Sequence, residues 1–247
     1  GDEDMIIVTP SQWLAREANR SSLLGRFETR VIPYGIDLDA FAPREKNYCR
    51  DTLGIPREAI VLAFVADGVM TRRKGFSVLA EALATVTPEV KFHLISVGSG
   101  PPPPIFGHQV SHFGRVENNR LLSLLYSAAD AFVLPSLEDN LPLTGLESLA
   151  CGTPIIGSAV GGIPDIARPG QTGFLHPAAD VSALAELLRN IAAHPEELAA
   201  MRASCRKVAE QEYGISLQAD NYIALYSEVM ARRASTNFSA MQVGGRN

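Results

Sequence analysis

The chain of 247 residues is 46% hydrophobic and 20% charged, as in globular proteins, and its formal net charge is −5. This acidic balance argues against nucleic acid as a partner, because proteins that bind nucleic acid carry clustered Lys and Arg. No apolar run approaches the roughly 20 residues of a membrane-spanning helix. The three cysteines form no CxxC pair, which argues against a zinc site and a disulfide framework, so we expect reduced thiols in a cytoplasmic protein.

Short apolar runs alternate with amphipathic segments along the chain. The first pair is a strand at Ile6–Thr9 and a helix over 11–20, followed by an extended, turn-rich crossing over 29–41. Further strands are predicted at 59–67, 90–98, 109–116, 130–136 and 154–158, and helices near 75–86, 121–128, 143–150, 180–193, 196–212 and 216–233. Repeated βα units of this size predict an α/β fold with a Rossmann-like, doubly wound parallel sheet.

The pattern divides the chain into four parts. Residues 1–30 hold one βα unit and a linker from the end of a preceding domain, and residues 31–214 form the main domain. Residues 215–234 form a C-terminal helix, and 235–247 lack periodicity, which predicts a mobile tail. Because the chain begins with Gly1 rather than Met, we expect a fragment of a longer protein.

Three cations follow the strand predicted at 59–67. Arg72, Arg73 and Lys74 stand at the entrance to the next helix. A helix N-terminus already carries partial positive charge, so further cations there favour a bound anion. The alternative is a solvated basic loop, and the sequence leaves both interpretations open.

Glycines follow three of the other strands, but they do not form a known nucleotide motif. In "GSGPPPP" (98–104), prolines occupy the positions where the dinucleotide pattern GxGxxG opens a helix, and no GxxxxGK[ST] occurs in the chain. These facts argue against a nicotinamide dinucleotide site and a P-loop. Gly114 and the pair Gly161 and Gly162 permit either an ordinary tight turn or the close approach of a ligand to the backbone.

The segment "SLEDNLPLTGLESLACGTP" (136–154) carries the acids of greatest interest. Asp139 or Asn140 can cap the helix predicted at 143–150, whose leucines form one face that packs on the sheet. Glu147 lies off that face. It is therefore either an exposed surface residue or a carboxylate that accepts two hydrogen bonds from a vicinal diol such as ribose.

These polar groups all follow strands of one predicted parallel sheet. Ligands of such sheets bind outside the carboxyl ends of the strands, near the point where the strand order reverses. The cations, the glycines and the diol acceptor are therefore expected on one rim. A nucleotide or a sugar that bears phosphate would satisfy all of them.

Five segments of the sequence resemble one known family, the GT-B retaining glycosyltransferases of family GT4, also called glycosyltransferase group 1. They occur in the family's order over about residues 30–190 and are "VIPYGIDLDAFAP", "RRKGFSVLAEAL", "HFGRVENNRLLSLLYSAADAFVLPS", "LEDNLPLTGLESLACGTPIIGSAVGGIPDI" and "GQTGFLHPAADVSALAELL". The resemblance implies that the chain is the C-terminal, donor-binding half of a GT-B fold. Residues 1–30 would then be a remnant of the N-terminal domain, and 215–234 a helix that returns toward it.

The resemblance also implies roles for individual residues. The family's two signature glutamates, which have seven residues between them, fall on Asp139 and Glu147, of which Glu147 would bind the ribose and Asp139 would lie near the donor sugar. Lys74 and Arg73 would contact the diphosphate, since the arginine that the family commonly carries is replaced here by Val69. Asp139, Lys74 and Glu147 are thus the expected catalytic residues. The remaining expected donor contacts are Gly114, Arg115, Val116, Glu138, Asn140, Leu141, Thr144, Gly161 and Gly162.

The activity implied by the resemblance is transfer of a glycosyl group, of hexosyl type, from a UDP- or GDP-sugar with retention of configuration. Neither a metal nor a cofactor is expected, because cations and helix N–H groups would stabilise the leaving diphosphate. The acceptor would be a glycan or lipid-linked molecule of polysaccharide biosynthesis, bound through the N-terminal domain, and the full-length protein could associate with the membrane surface. We expect the fragment alone to bind donor without catalysis. The alternatives are a non-catalytic nucleotide-sugar-binding or regulatory module and a GT-B nucleotide-sugar epimerase.

Overall fold

A computed structural model describes residues 5–86 and 90–244, with side chains up to residue 234. A small parallel sheet near the N-terminus pairs β1 (Ile6–Thr9) with β2 (Glu28–Val31), and α1 (Gln12–Arg20) connects them. This is the βα unit expected at the start of the chain. The Ser11 hydroxyl caps α1 by accepting a hydrogen bond from the Leu14 N–H.

The larger sheet contains six strands within the described residues. They are β3 (Ile60–Gly68), β4 (Phe92–Ser99), β5 (Gln109–His112), β6 (Ala131–Leu134), β7 (Ile155–Ser158) and β8 (Gly173–His176). The helices around it are α2 (Lys46–Leu53), α3 (Phe76–Thr85), α4 (Asn119–Ala128), α5 (Leu143–Ala150), α6 (Ile163–Ile166), α7 (Val181–Ala193), α8 (Pro195–Glu212) and α9 (Ile215–Gly244).

The strand order β5-β4-β3-β6-β7-β8 is that of a doubly wound sheet, and its strand pairs are parallel. The chain runs outward from β3 to β5, then returns to the centre and runs the other way from β6 to β8. The order therefore reverses between β3 and β6. A crevice for ligands is expected outside the carboxyl ends of these two strands.

Both faces of the sheet are covered, which explains the continuous apolar run of β3. Val61 and Ala63 enter a core shared with α4, α5 and α8, whereas Leu62 and Phe64 enter a core shared with α3 and α7. Alternate side chains of a strand point to opposite faces, so a strand buried on both faces has no polar alternation.

The three cysteines are buried free thiols that lie on the first of these faces. Burial raises the pKa of the Cys151 and Cys205 thiols to about 12, so both stay protonated at neutral pH. They therefore act as small apolar core residues, in agreement with the reduced state expected from the sequence.

Several elements differ from the expected pattern. Residues 29–41 were expected as an extended crossing, but the chain forms strand β2 at Glu28–Val31. The sequence did not predict α2 and β8, because α2 has few apolar residues and β8 is only four residues long. Helix α9 continues to Gly244, beyond the expected end of the helix at 234, since no glycine or proline intervenes before that residue. The mobility expected for 235–247 stays a prediction. None of the helices in the described ranges is both long and apolar enough to cross a membrane.

Candidate functional site

The loops that follow β3 and β6 meet at the point where the strand order reverses. The Leu137 N–H donates a hydrogen bond of 2.8 Å to the Arg73 carbonyl oxygen. Gly75 adopts a φ of 72°, and a Cβ atom there would lie 1.9 Å from the Pro135 carbonyl oxygen. Because only glycine permits this approach, the backbone itself holds the cations after β3 beside the acids after β6.

Lys74 and Asp139 form the central ion pair of this region. Lys74 Nζ donates a hydrogen bond of 2.7 Å to Oδ2 of Asp139, and the exposed fractions of the two side chains are only 15% and 11%. Ser136 Oγ donates to the same oxygen at 3.4 Å. Arg73 Nη1 lies 3.7 Å from it but is 55% exposed. The structure thus brings together Asp139, Lys74 and Arg73, as the sequence predicted.

The expected cap of α5 by Asp139 or Asn140 is wrong. The helix begins after Pro142, and no side chain in the described part of the chain caps it. Asp139 is engaged by Lys74, and Oδ1 of Asn140 accepts a hydrogen bond of 2.6 Å from Ser11 Oγ. Both partners are distant in sequence, so local capping rules could not reveal them. The N–H groups of the first turn of α5 are left without a capping side chain.

The glycine pair after β7 packs against the loop that carries Asp139. Gly161 has a φ of 56°, and a Cβ atom there would lie 1.7 Å from the Asp139 carbonyl oxygen. A Cβ atom on Gly162 would lie 1.9 Å from the Asn140 carbonyl oxygen, and the Gly162 N–H donates to the Asp139 carbonyl oxygen at 3.2 Å. The packing against the 139–140 backbone therefore requires glycine at both positions, and the predicted donor contact of this pair stays a prediction.

Two other predicted donor contacts near α5 lie in different environments. Thr144 Oγ1 is buried and has no hydrogen-bond partner among the described residues. An orphaned hydroxyl in the first turn of a helix is a feature that a ligand could complete. Leu141 is 4% exposed and packs in the core, so its side chain faces away from a ligand. Glu138 is exposed, which supports the choice of Asp139 as the residue within the site.

The segment after β5 contributes backbone rather than charge. Gly114 has a φ of 62°, its carbonyl oxygen accepts a hydrogen bond of 2.8 Å from Gly98, and the space where a Cβ atom would stand is open. Arg115 and Glu117 form an exposed ion pair of 3.2 Å. Val116 packs against the core. The side chain of Arg115 is thus directed to a surface partner, and only the backbone here fits the predicted contact.

Glu147 is half-buried on α5, so its interpretation as an exposed surface residue is wrong. Its Oε2 accepts a hydrogen bond of 2.8 Å from the hydroxyl of Tyr126, which is fully buried on α4. Burial raises the pKa of the Glu147 carboxyl, and the Tyr126 hydrogen bond opposes this shift in part. No cation in the described ranges forms an ion pair with it.

Sequence reasoning missed Tyr126 and Ser11. The available signal for Tyr126 was its place beside the apolar residues of α4, where a buried tyrosine hydroxyl needs a partner. Val69, at the position where the family carries an arginine, is fully buried in the core and does not face the site. Within the described residues, no group of three or more His, Cys, Asp or Glu side chains is arranged to hold a metal ion.

The sheet order and the polar groups at its reversal point define an α/β domain of the doubly wound class. The family model described as "Glycosyl transferases group 1" matches residues 59–194, more than half of the chain. The chain therefore belongs to the glycosyl transferases group 1 family, and the predicted membership of group 1 and the predicted fold class are confirmed.

Individual relatives agree with this assignment. A D-inositol 3-phosphate glycosyltransferase of Saccharomonospora viridis is 30% identical over 220 residues, which cover 82% of this chain and 50% of that protein. Sucrose-phosphate synthase from Thermosynechococcus elongatus gives a TM-score of 0.79 at 26% identity, over 92% of this chain and 59% of the other. HepE of Anabaena, solved in complex with UDP, gives a TM-score of 0.72 at 19% identity, over 90% of this chain and 64% of the other. The chain spans about half the length of the curated relatives it matches.

Proposed function

We propose that this chain is the donor-binding domain of a glycosyltransferase that uses a UDP- or GDP-sugar. The observation that carries the proposal is the layout of α5. Lys74 pairs with Asp139, four residues before α5 begins, the uncapped N–H groups and the unpartnered Thr144 hydroxyl lie in its first turn, and Glu147 lies one turn further on. A helix rises about 1.5 Å per residue, so an anion and a diol of one small molecule can reach both positions.

In this proposal, Lys74 and the start of α5 bind the diphosphate. As the sugar leaves, negative charge develops on the diphosphate, and a fixed cation with helix N–H groups stabilises it. Arg73 is more exposed and adds a weaker, screened attraction. Asp139, paired with Lys74, would lie near the donor sugar and keep the ammonium group in place. Transfer occurs without a metal and with retention of configuration.

Glu147 would bind the ribose hydroxyls of the nucleotide. Its carboxylate has one oxygen engaged by Tyr126, and Oε1 accepts no hydrogen bond from the described residues. A charged acceptor that is half removed from water gains most when hydroxyl donors are supplied by a ligand. HepE, which shares the fold, was solved with UDP, so UDP is the first nucleotide to test.

The acceptor, a glycan or lipid-linked molecule of polysaccharide biosynthesis, belongs to the whole protein in this proposal. Since the relatives are about twice as long, we expect the present chain to bind donor without transferring sugar. The proposal includes a cytoplasmic location, with which three free thiols agree, and association of the whole protein with the membrane surface.

Calorimetric titration of the chain with UDP, GDP and the corresponding glucose and mannose donors tests this proposal. One base is expected to bind, and Glu147→Ala is expected to weaken that binding by about 1–3 kcal/mol, the range of a hydrogen bond to a charged group. Glu186→Ala, which removes an exposed glutamate from α7, is the matched control. Absence of binding to every ligand, or sugar transfer by the isolated chain, would contradict the proposal. Binding without transfer by the longer protein would favour the non-catalytic module.

A further inference from the structure

Glu147 differs from the other carboxylate of the site because a neutral group, and not a cation, holds it. The Tyr126 hydroxyl donates to Oε2 at 2.8 Å, and the described part of the chain supplies no second partner to this carboxylate. Burial raises the pKa of the Tyr126 phenol well above its ordinary value, so it remains a proton donor at every physiological pH. The hydrogen bond therefore has a fixed direction, from tyrosine to glutamate.

Tyr126 is itself held on each side by the core. Its carbonyl oxygen accepts a hydrogen bond of 2.7 Å from Thr153 Oγ1. Its ring meets Phe132 edge-on, with centroids 5.5 Å apart and an interplanar angle of 86°. The side chain is fully buried and cannot touch a ligand. In this pair, the phenol is the fixed member, and Glu147, with its three side-chain torsions, is the member that is oriented.

We infer that Tyr126 is a positioning residue that orients the Glu147 carboxylate toward the ribose of the nucleotide. This inference rests on the proposed function, in which Glu147 is the diol acceptor. One lone pair of Oε2 is used by the phenol, while Oε1 and the remaining lone pair stay available to hydroxyl donors. The carboxylate is therefore ordered before the ligand arrives, which lowers the entropy cost of binding.

The neutral character of the partner matters for this role. A lysine or arginine at the same place would neutralise the carboxylate and compete with the ribose hydroxyls for its oxygens. A phenol orients the group and leaves its full charge for charge-assisted hydrogen bonds to the ligand. The Glu147 carboxylate is thus held in one orientation and can still accept hydrogen bonds from ligand hydroxyls.

The test compares ribonucleotides with deoxyribonucleotides. The affinities of UDP, 2′-deoxy-UDP, GDP and 2′-deoxy-GDP are measured by calorimetry for the wild-type chain and for the Tyr126→Phe, Glu147→Ala and doubly substituted variants. In Tyr126→Phe, the affinity for the ribonucleotide should fall about fivefold to tenfold, the worth of one hydrogen bond. The affinity for the deoxy form should change less, so the ratio between the two should fall. In the Glu147→Ala background, Tyr126→Phe should have no further effect on this ratio.

Tyr213→Phe is the matched control, because it removes a second buried phenol hydroxyl that lies against Asp165 and Arg168. This control should leave the ratio of the two affinities unchanged. Thermal unfolding of each variant verifies that the fold is retained. A Tyr126→Phe protein that loses affinity for both forms equally, or for neither, would overturn the inference and assign Tyr126 a purely structural role.

The same measurements separate this inference from the function on which it rests. If Glu147→Ala leaves the ratio of ribonucleotide to deoxyribonucleotide affinity unchanged, the ribose role of Glu147 is wrong, whatever Tyr126 does. If Glu147→Ala lowers the ratio and Tyr126→Phe does not, only the positioning role is wrong. If the wild-type chain binds neither UDP nor GDP, both are wrong.

Discussion

Asp139 and Glu147 lie eight residues apart in the same segment, yet their electrostatic surroundings are opposite. Asp139 is paired at 2.7 Å with Lys74, has Arg73 at 3.7 Å and accepts from Ser136. Glu147 is held by the neutral hydroxyl of Tyr126. The negative charge of Asp139 is balanced before any ligand binds, whereas burial of the Glu147 charge is only partly offset.

This difference indicates that the region around Asp139 contributes mainly to stability and the region around Glu147 mainly to binding. The Lys74–Asp139 pair is largely buried and the backbone behind it is tightly packed, so removing one partner of the pair or disturbing the packing should lower the stability of the unligated protein. A half-buried carboxylate without a cation destabilises the unligated fold and gains its partners from a ligand. Substitutions near Asp139 should therefore change the stability of the unligated protein, whereas substitutions at Glu147 should change ligand binding.

The largest expected effect comes from Gly161→Ala. The new methyl group would meet the Asp139 carbonyl oxygen at 1.7 Å, in a backbone conformation with a φ of 56°. Strain and overpacking together should lower the free energy of unfolding by about 2–5 kcal/mol. The measurement is urea-induced unfolding, with Gly170→Ala as the matched control. Gly170 has a φ of 74° but open space around it, so its substitution should cost only about 1–2 kcal/mol. Equal losses in the two variants would show that the packing behind Asp139 contributes no stability.

Lys74→Met should weaken binding of the nucleotide diphosphate and, because it leaves the Asp139 carboxylate without its closest cation, should also lower the free energy of unfolding. It removes the largely buried cation beside Asp139 and should weaken binding by about 2–3 kcal/mol, as expected for a hydrogen bond between charged groups. Calorimetric titration with the nucleotide measures the loss. Lys91→Met, which removes an exposed lysine at the opposite end of the sheet, is the control for net charge. Equal affinities of the two variants would place the diphosphate elsewhere.

Arg73→Met should have a smaller effect on the free energy of unfolding. Arg73 is 55% exposed and its Nη1 lies 3.7 Å from Asp139 Oδ2, so the ion pair is screened by solvent. The loss should be below about 1 kcal/mol in urea unfolding and should shrink further at high salt. A loss that is larger than that of Lys74→Met would reverse the ranking of the two cations.

Glu147→Gln should give the smallest effect on the free energy of unfolding and one of the opposite sign. Burial raises the pKa of Glu147 in the folded chain, so the ionised form is disfavoured there and the stability of the wild type falls as the pH rises through the folded pKa. Glutamine accepts the Tyr126 hydrogen bond without this cost. The variant should be the more stable protein at neutral pH, and the difference should vanish below about pH 3, where glutamate is protonated in both states. Urea-induced unfolding of both proteins at neutral and acidic pH measures the difference in stability. A Glu147→Gln variant that is less stable than the wild type at neutral pH would show that the Glu147 charge stabilises the fold, as the charge of a paired carboxylate can.

Much of the architecture could be predicted from the sequence, because it depends on local patterns. Apolar runs and amphipathic segments gave most strands and helices, and the doubly wound order followed from their alternation. The clustering of Lys74 with Asp139 was also predictable, since loops after neighbouring parallel strands share one edge.

The details that the sequence did not reveal depend on partners distant along the chain. Asn140 was expected to cap α5 but accepts from Ser11, 129 residues earlier. The glycine pair Gly161 and Gly162 packs against the 139–140 backbone, a contact that the sequence did not reveal. Tyr126 on α4 contacts Glu147 on α5, 21 residues later in the chain. Local preferences predict which groups need partners, and the fold decides which partners they find.

The hydrogen bond between Ser11 and Asn140 couples the two sheets of the molecule. The neighbouring Gln12 N–H also donates to Asp165 at 2.9 Å, so the start of α1 is fastened to both α6 and the 139–140 loop. A rotation of the small sheet against the large one would have to break these bonds or pull the loop along. The position of Asp139 beside Lys74 is therefore linked to the orientation of the small sheet relative to the large one.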